Sequence, residues 1–246
     1  MKRLLDLVLS ASALFAASPV LLLFMLLVWM QDGRSPFYLS PRVARGGGTF
    51  KMVKLRSMVV DADKSGVSST AAGDARVTSV GRLIRRFKLD ELTQLWNVLV
   101  GEMSLVGPRP NTRTWGADLY TPQEMRLLSV RPGITDFASI VFSDEGDILA
   151  GRVDPDISYN QLIRPWKSQL SLFYIEHQGL GLDIQLIFLT ALAIVSRPRA
   201  LERVSQLLQN LDAPADLVRV AGRSEELVPT PPPGATEIFT SRNTAS

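Results

Sequence analysis

From Leu7 to Met30 the chain reads LVLSASALFAASPVLLLFMLLVWM without a charged side chain, enough for the roughly 20 apolar residues of a membrane-crossing helix. This is not a cleavable leader, because the apolar run continues well past the small residues Ala16-Ala17-Ser18. Ser18-Pro19 stands in its middle: proline removes a helix hydrogen bond and crowds the preceding turn, and a serine hydroxyl can cover the freed carbonyl. Each half, about 17 Å at 1.5 Å per residue, is short of a hydrocarbon core of about 30 Å. Two topologies remain open, a kinked spanning helix and a re-entrant hairpin returning to the leaflet it entered. Lys2 and Arg3 before the run, and Arg34, Arg42 and Arg45 after it, favour cytoplasmic placement of both ends.

Beyond the apolar run, Gly33, Pro36, Pro41 and Gly46-Gly47-Gly48 predict a loop, followed by a short paired strand over residues 49–55. Residues 61–75 are small and polar and read as a loop. Leu83, Ile84, Phe87, then Leu92, Leu95, Trp96, Val98 and Leu99 recur at helical spacing with an interruption near Lys88-Leu89-Asp90, which predicts two helices in series. Gly107-Pro108-Arg109-Pro110 is an extended turn, since each proline also restricts the residue before it. Residues 121–129 read as helical, Arg131-Pro132-Gly133 as a turn, and 156–176 and 183–196 as long helices. After Asn210 the chain turns to Pro, Ser, Thr, Ala and charge, with Pro229 and Pro231-Pro232-Pro233, a composition that predicts a disordered tail unnecessary to the core. The expected organisation is a membrane helix over 1–32, a catalytic domain over 33–210 and a tail over 211–246.

Composition narrows the chemistry. With no cysteine, disulfides, thiolate metal sites and a Cys nucleophile are excluded, and with His177 as the only histidine, a Ser-His-Asp triad would need that one imidazole. His177 beside Gln178-Gly179 reads as a helix-end residue. Lys plus Arg number 27 against 24 Asp plus Glu, a net charge of +3 spread along the chain, which argues against nucleic-acid binding. There is no Walker loop, dinucleotide fingerprint or metalloprotease helix. What remains is acid and base. Asp90-Glu91 at the expected helix start has two readings. One is an N-cap with a dipole-complementing neighbour; the other is a carboxylate nucleophile where a helix N-terminus also attracts phosphate. Lys54, Arg56, Arg82, Arg85, Arg86, Arg109 and Arg131 are candidates to hold a diphosphate, and Arg109 is fixed between Pro108 and Pro110. Asp61-x-Asp63 is similar to a metal-binding pair of nucleotide-sugar glycosyltransferases.

Taken in order, several motifs resemble the bacterial sugar transferases, the small monotopic phosphoglycosyl transferases. They are Lys2-Arg3 with Asp6, Ser18-Pro19, Phe50 through Lys54-Leu55-Arg56-Ser57-Met58, Asp74-Ala75-Arg76-Val77-Thr78, and Leu89-Asp90-Glu91-Leu92 with Gln94. Asn97-Val98-Leu99, Gly101 through Pro110, Arg131-Pro132-Gly133-Ile134-Thr135, and Asp183 with Thr190 complete the series. The resemblance runs from Lys2 to about Arg197. It implies an α/β, mostly helical, monotopic membrane protein: a re-entrant helix hairpin broken at Ser18-Pro19 and a small catalytic domain on the cytoplasmic face of the bacterial inner membrane. It further implies that Asp90 attacks the β-phosphate of a nucleoside diphosphate sugar, and that polyprenyl (undecaprenyl) phosphate then takes the phosphosugar. Glu91 would help hold Mg²⁺ or move a proton, and Arg109 with Pro108 and Pro110 would face the nucleotide. The implied partners are inner-leaflet lipid and downstream glycosyltransferases, with no nucleic acid.

The chain departs from the family's common pattern at a few positions. Thr93 replaces a proline after Asp-Glu-Leu, and Ser40 replaces a glutamine. Asp136 and Ser139 stand where Gly and Gln usually follow the Gly-Ile-Thr segment, and Ser171 occupies a position often held by Asp. None touches the dyad, and those near the Gly-Ile-Thr segment bear on the sugar. The length fits the minimal form, without the extra membrane helices of larger relatives. The alternatives are a direct glycosyltransferase using Asp61 and Asp63, and a membrane-docked assembly factor without turnover.

Overall fold

The computed structural model describes residues 1–62, 73–114 and 116–241. It is mostly helical with two small sheets. Helix α1 (Lys2–Asp32) leads into an antiparallel hairpin, β1 (Phe37–Val43) with β2 (Thr49–Leu55), in register Phe37↔Leu55 to Val43↔Thr49. The glycine run makes the hairpin turn, where Gly46 and Gly47 take positive φ of 78° and 85°. Three short helices follow, α2 (Ser79–Arg86), α3 (Leu89–Leu92) and α4 (Leu95–Val100). Strand β3 (Ser104–Val106) pairs in parallel with β4 (Gly133–Thr135). The rest is α5 (Phe137–Val141), α6 (Glu145–Ile148), α7 (Pro155–Ser158), a π turn (Tyr159–Ile163), α8 (Arg164–His177), α9 (Leu180–Val195), α10 (Arg197–Asn210) and α11 (Ala215–Gly222).

Helix α1 continues through Ser18-Pro19 as one helix, and the Ser18 hydroxyl donates to the Phe15 carbonyl that Pro19 leaves without its helix partner, at 2.7 Å. It is, among the described residues, the one helix long and apolar enough to cross a membrane. Both its ends rest on the same domain. At the N-terminus Lys2 pairs with Asp183 at 2.6 Å and donates to the Val106 carbonyl. Arg3 donates to the carbonyls of Val98 and Leu99, and buried Asp6 accepts from the Ser104 hydroxyl and the Leu105 N–H. At the C-terminus Val28 packs with Leu55, Ile84 and Leu89, and Asp32 takes a two-pronged contact from Arg56, 2.6 Å on each arm. Between these ends, residues 11–20 include no buried position.

The main core is formed by α5, α8, α9, α10 and α11 around Phe137, Leu170, Tyr174, Leu186 and Leu208. A smaller one, Phe50, Met52, Val98 and Met103, joins the hairpin to α4. Asn97 completes that junction: its amide accepts from Val53 N–H and donates to the Lys51 carbonyl, both at 2.9 Å.

Four expectations are corrected. The loop expected before residue 49 contains strand β1, and the two helices expected around Lys88 are three, with Thr93 and Gln94 between α3 and α4. The long helix expected over 156–176 is interrupted by the π turn, because Pro165 carries no N–H for the Gln161 carbonyl. The tail expected from residue 211 contains α11, with Leu217 and Ala221 buried in the main core, and beyond it Pro232 and Pro233 are buried. Its apolar positions Leu217, Val218, Val220 and Ala221 form a short helical stripe that the surrounding proline and charge obscure. Thr230 N–H fills the Gln161 carbonyl vacated by Pro165, at 3.0 Å, and the Gln161 amide donates to Phe239.

Candidate active site

A cavity of about 700 Å³ opens between β2, α2–α3, the Pro108–Pro110 turn and the α5–α8 half of the domain. Three local features place the dyad on its wall. Thr78 caps α2, accepting from Gly81 N–H at 2.9 Å. Gly81 must be glycine, since a Cβ there would lie 1.8 Å from the Ser57 carbonyl oxygen. Lys88 then takes a left-handed φ of 54° and starts α3, so Lys88, not Asp90, is the N-cap. Thr93 fastens this turn, its hydroxyl lying 3.0 Å from the carbonyls of both Val53 and Asp90.

Arg109 is held from the opposite side. Gly107 and Gly133 pass so closely that a Cβ on Gly133 would meet Gly107 N at 2.2 Å, and Gly133 N–H donates to the Pro108 carbonyl at 2.8 Å. The guanidinium donates to the Ile134 carbonyl at 2.9 Å and to Glu91 at 3.0 Å. Lys54, Arg85, Arg86, Lys88, Asp90, Glu91, Pro108, Arg109 and Pro110 therefore share one cavity.

Its electrostatics separate the two carboxyls. Burial pushes the Asp90 carboxyl above the usual range, with Lys54, Arg85 and Lys88 pulling it back and Glu91 adding to the rise. Burial also acts to raise Glu91, but Arg109, Lys88 and Lys54 together hold it below its ordinary value. Burial, with Arg42 adding to it, lowers the Lys54 ammonium to about 8, against the opposing pull of Asp90. The arrangement can receive a polyanion beside a carboxylate that water solvates poorly.

Some expected site residues stand elsewhere. Arg56 is committed to Asp32 at the end of α1, and exposed Arg131 is outside the cavity lining, as is exposed Arg82. Asp61 is exposed and outside the cavity, and Asp63 lies outside the described residues. His177 ends α8, stacked on Phe173. Among the described residues no group of three or more His, Asp or Glu side chains could hold a metal ion. Sequence reasoning missed Arg42, Glu145, Tyr159 and Lys167, which line the same cavity from distant parts of the chain. Only Lys88, beside the dyad, carried a local signal.

A carboxylate dyad in a cationic cavity stands on a domain that carries a long apolar helix. The bacterial sugar transferase family model matches residues 1–197, and the chain belongs to that family. It is 33% identical over 197 residues to the UDP-N-acetylgalactosamine-undecaprenyl-phosphate N-acetylgalactosaminephosphotransferase of Aeromonas hydrophila, covering 79% of this chain and 44% of that protein. It is 40% identical over 196 residues to the undecaprenyl-phosphate glucose phosphotransferase of Komagataeibacter xylinus, covering 77% of this chain and 35% of that protein. It is 35% identical over 208 residues to the exopolysaccharide production protein ExoY of Sinorhizobium fredii, covering 78% and 84% respectively. The matched stretch thus spans less than half the length of the first two relatives.

Proposed function

We propose that this protein is a phosphoglycosyl transferase that moves a sugar 1-phosphate from a nucleoside diphosphate sugar, a UDP-sugar by analogy with the relatives' names, to undecaprenyl phosphate. The carrying observation is the Asp90–Glu91 dyad in a cavity shared with Lys54, Arg85, Lys88 and Arg109. In the first half-reaction an Asp90 oxygen forms a bond to the β-phosphorus as the bond from that phosphorus to the bridging oxygen breaks. Nucleoside monophosphate leaves with the electron pair. In the second, an oxygen of the lipid phosphate forms a bond to the same phosphorus and the Asp90 carboxylate is released. Lys54 and Arg85 steady the ionised form of Asp90, and Arg109 orients Glu91.

The dyad fits Mg²⁺, which is commonly held by one or two carboxylates plus substrate phosphate oxygens and water. Asp90 and Glu91 would hold it, and when bound it offsets the repulsion between carboxylate and diphosphate.

In the same reading α1 is re-entrant and the domain lies on the cytoplasmic face of the inner membrane. This is supported by both helix ends resting on one domain and by the apolar middle, residues 11–20, without a buried position. The lipid-linked product would then feed downstream glycosyltransferases of a surface glycan. The direct glycosyltransferase reading has less support, since Asp61 does not line the cavity. Purified protein supplied with UDP-sugars and undecaprenyl phosphate should release UMP. Release of UDP instead would sink this assignment.

A further inference from the structure

We infer that the part of the cavity lined by Ser139, Ser171, Glu145, Lys167 and Tyr159 is the subsite for the ring of the donor sugar, with the first four as its polar contacts and Tyr159 as its platform. The inference rests on the proposed transferase reading and names where that reaction discriminates its substrate.

The cavity lining holds two chemically different sets of residues. Around the dyad it is cationic, which suits phosphate. Around Ser139, Ser171 and Glu145 it is rich in acceptors. The hydroxyls of Ser139 and Ser171 both donate to the buried carboxylate of Asp136, at 2.7 and 2.6 Å, and Ser139 N–H donates to it at 2.8 Å. With their hydrogens so committed, both serines can only accept from a ligand. Glu145 adds a carboxylate, bonded to Lys167. The two side chains keep 33% and 20% of their surface exposed, so each retains unused hydrogen-bonding capacity toward the cavity. The Lys167 ammonium lies 5.4 Å from the centre of the Tyr159 ring.

Serine and carboxylate acceptors beside Lys167, Arg42 and an aromatic surface suit a ring bearing several hydroxyls and apolar C–H faces. Those acceptors do not suit a phosphate, which brings charge but no donors. The two sets adjoin, since Arg109 and Lys54 act electrostatically on Glu145. The ribose of the nucleotide is the competing polyol. The sugar is favoured because it stays in the site on Asp90, through its phosphate, between the two half-reactions, whereas the nucleotide leaves in the first.

The test uses full-length protein in lipid nanodiscs and measures dissociation constants for UDP and for UDP-glucose, UDP-galactose, UDP-N-acetylglucosamine and UDP-N-acetylgalactosamine, with KM and kcat for each donor that turns over. With melting temperature unchanged, Glu145→Gln should weaken UDP-sugar binding roughly 10- to 100-fold, as for loss of a hydrogen bond to a charged group, and Ser139→Ala roughly 2- to 10-fold, as for a neutral one. UDP binding should stay within about twofold, and the order of preference among donors should change. Equal losses for UDP and UDP-sugars would assign these residues to ribose or diphosphate and overturn the subsite, as would unchanged affinity and preference in both variants. Wild-type protein that binds UDP-sugars no better than UDP also overturns it. Wild-type protein that binds UDP-sugars more tightly than UDP but releases no UMP overturns the transferase reading alone.

Discussion

Lys54 offers a quantitative handle on the site. Its ammonium is held at about 8, mainly by burial, instead of at its ordinary value of 10.5. The folded value is depressed, so the positive charge is present below about pH 8 and lost as pH rises through it. If that charge holds the donor diphosphate and the ionised form of Asp90, kcat/KM, which reports the free enzyme, should fall along the alkaline side. A single group at about pH 8 is roughly 90% protonated at pH 7 and about 3% at pH 9.5, a loss of roughly 30-fold. Lys54→Arg keeps its charge across this range, so its alkaline limb should be displaced upward by more than about one pH unit. Bound diphosphate stabilises the ammonium, so the limb in kcat should lie above that in kcat/KM. The assay is initial-rate release of nucleoside monophosphate from pH 6 to 10 at constant ionic strength. A flat kcat/KM profile to pH 9.5, or an identical limb in Lys54→Arg, would refute this role for Lys54.

Three further outcomes follow from the packing and the topology. Gly133→Ala drives a Cβ into Gly107 backbone at 2.2 Å, so it should cost about 3 kcal/mol and displace Arg109, with turnover lost; a native melting temperature would contradict the close approach. Leu217→Ala should cost about 2–5 kcal/mol because the side chain is 2% exposed in the main core, and truncation after Asp212 should lower the melting temperature further by removing α11 and the Thr230–Gln161 contact; a truncated enzyme as stable as the full chain would restore the expectation of a dispensable tail. In the Cys-free chain, a cysteine inserted between Met1 and Lys2 and one appended after Ser246 should both resist membrane-impermeant reagents in intact cells, whereas labelling of either one from the periplasm would sink the re-entrant reading.

What was legible in the sequence depended on how local the cause was. Strand β2, a helix on either side of Lys88 and the apolar α1 follow from periodicity and proline or glycine punctuation within a few residues, whereas strand β1 and the division of the second helix into α3 and α4 were not readable. Strands β3 and β4 were not readable as strands, since three residues each leave no alternation to detect, and their pairing is determined by the Gly107–Gly133 approach. The π turn was hidden because the same Pro165 that marks a helix start also strips a bond from Gln161, and the compensating donor, Thr230, lies far along the chain. Asp90, Glu91, Lys54 and Arg109 were found by residue type and motif. Glu145, Tyr159 and Lys167 were not, because only the folding of α6–α8 back over the hairpin brings them to the cavity. Arg56 illustrates the converse: a basic residue beside Lys54 on the strand is directed to the end of α1.

The claim on which the account turns is covalent attack by Asp90. Purified enzyme is mixed with a UDP-sugar labelled in the β-phosphate and sugar, with undecaprenyl phosphate withheld, and both the released UMP and the protein-bound label are quantified. The account predicts a burst approaching one equivalent of UMP with label on the peptide containing Asp90. Subsequent addition of undecaprenyl phosphate should discharge that label to lipid. Asp90→Asn should give neither burst nor label while melting as the wild type does, because an amide cannot form the acyl phosphate and Lys88, not Asp90, caps α3. Full turnover in the presence of lipid without any burst or labelled peptide in its absence would contradict the covalent mechanism.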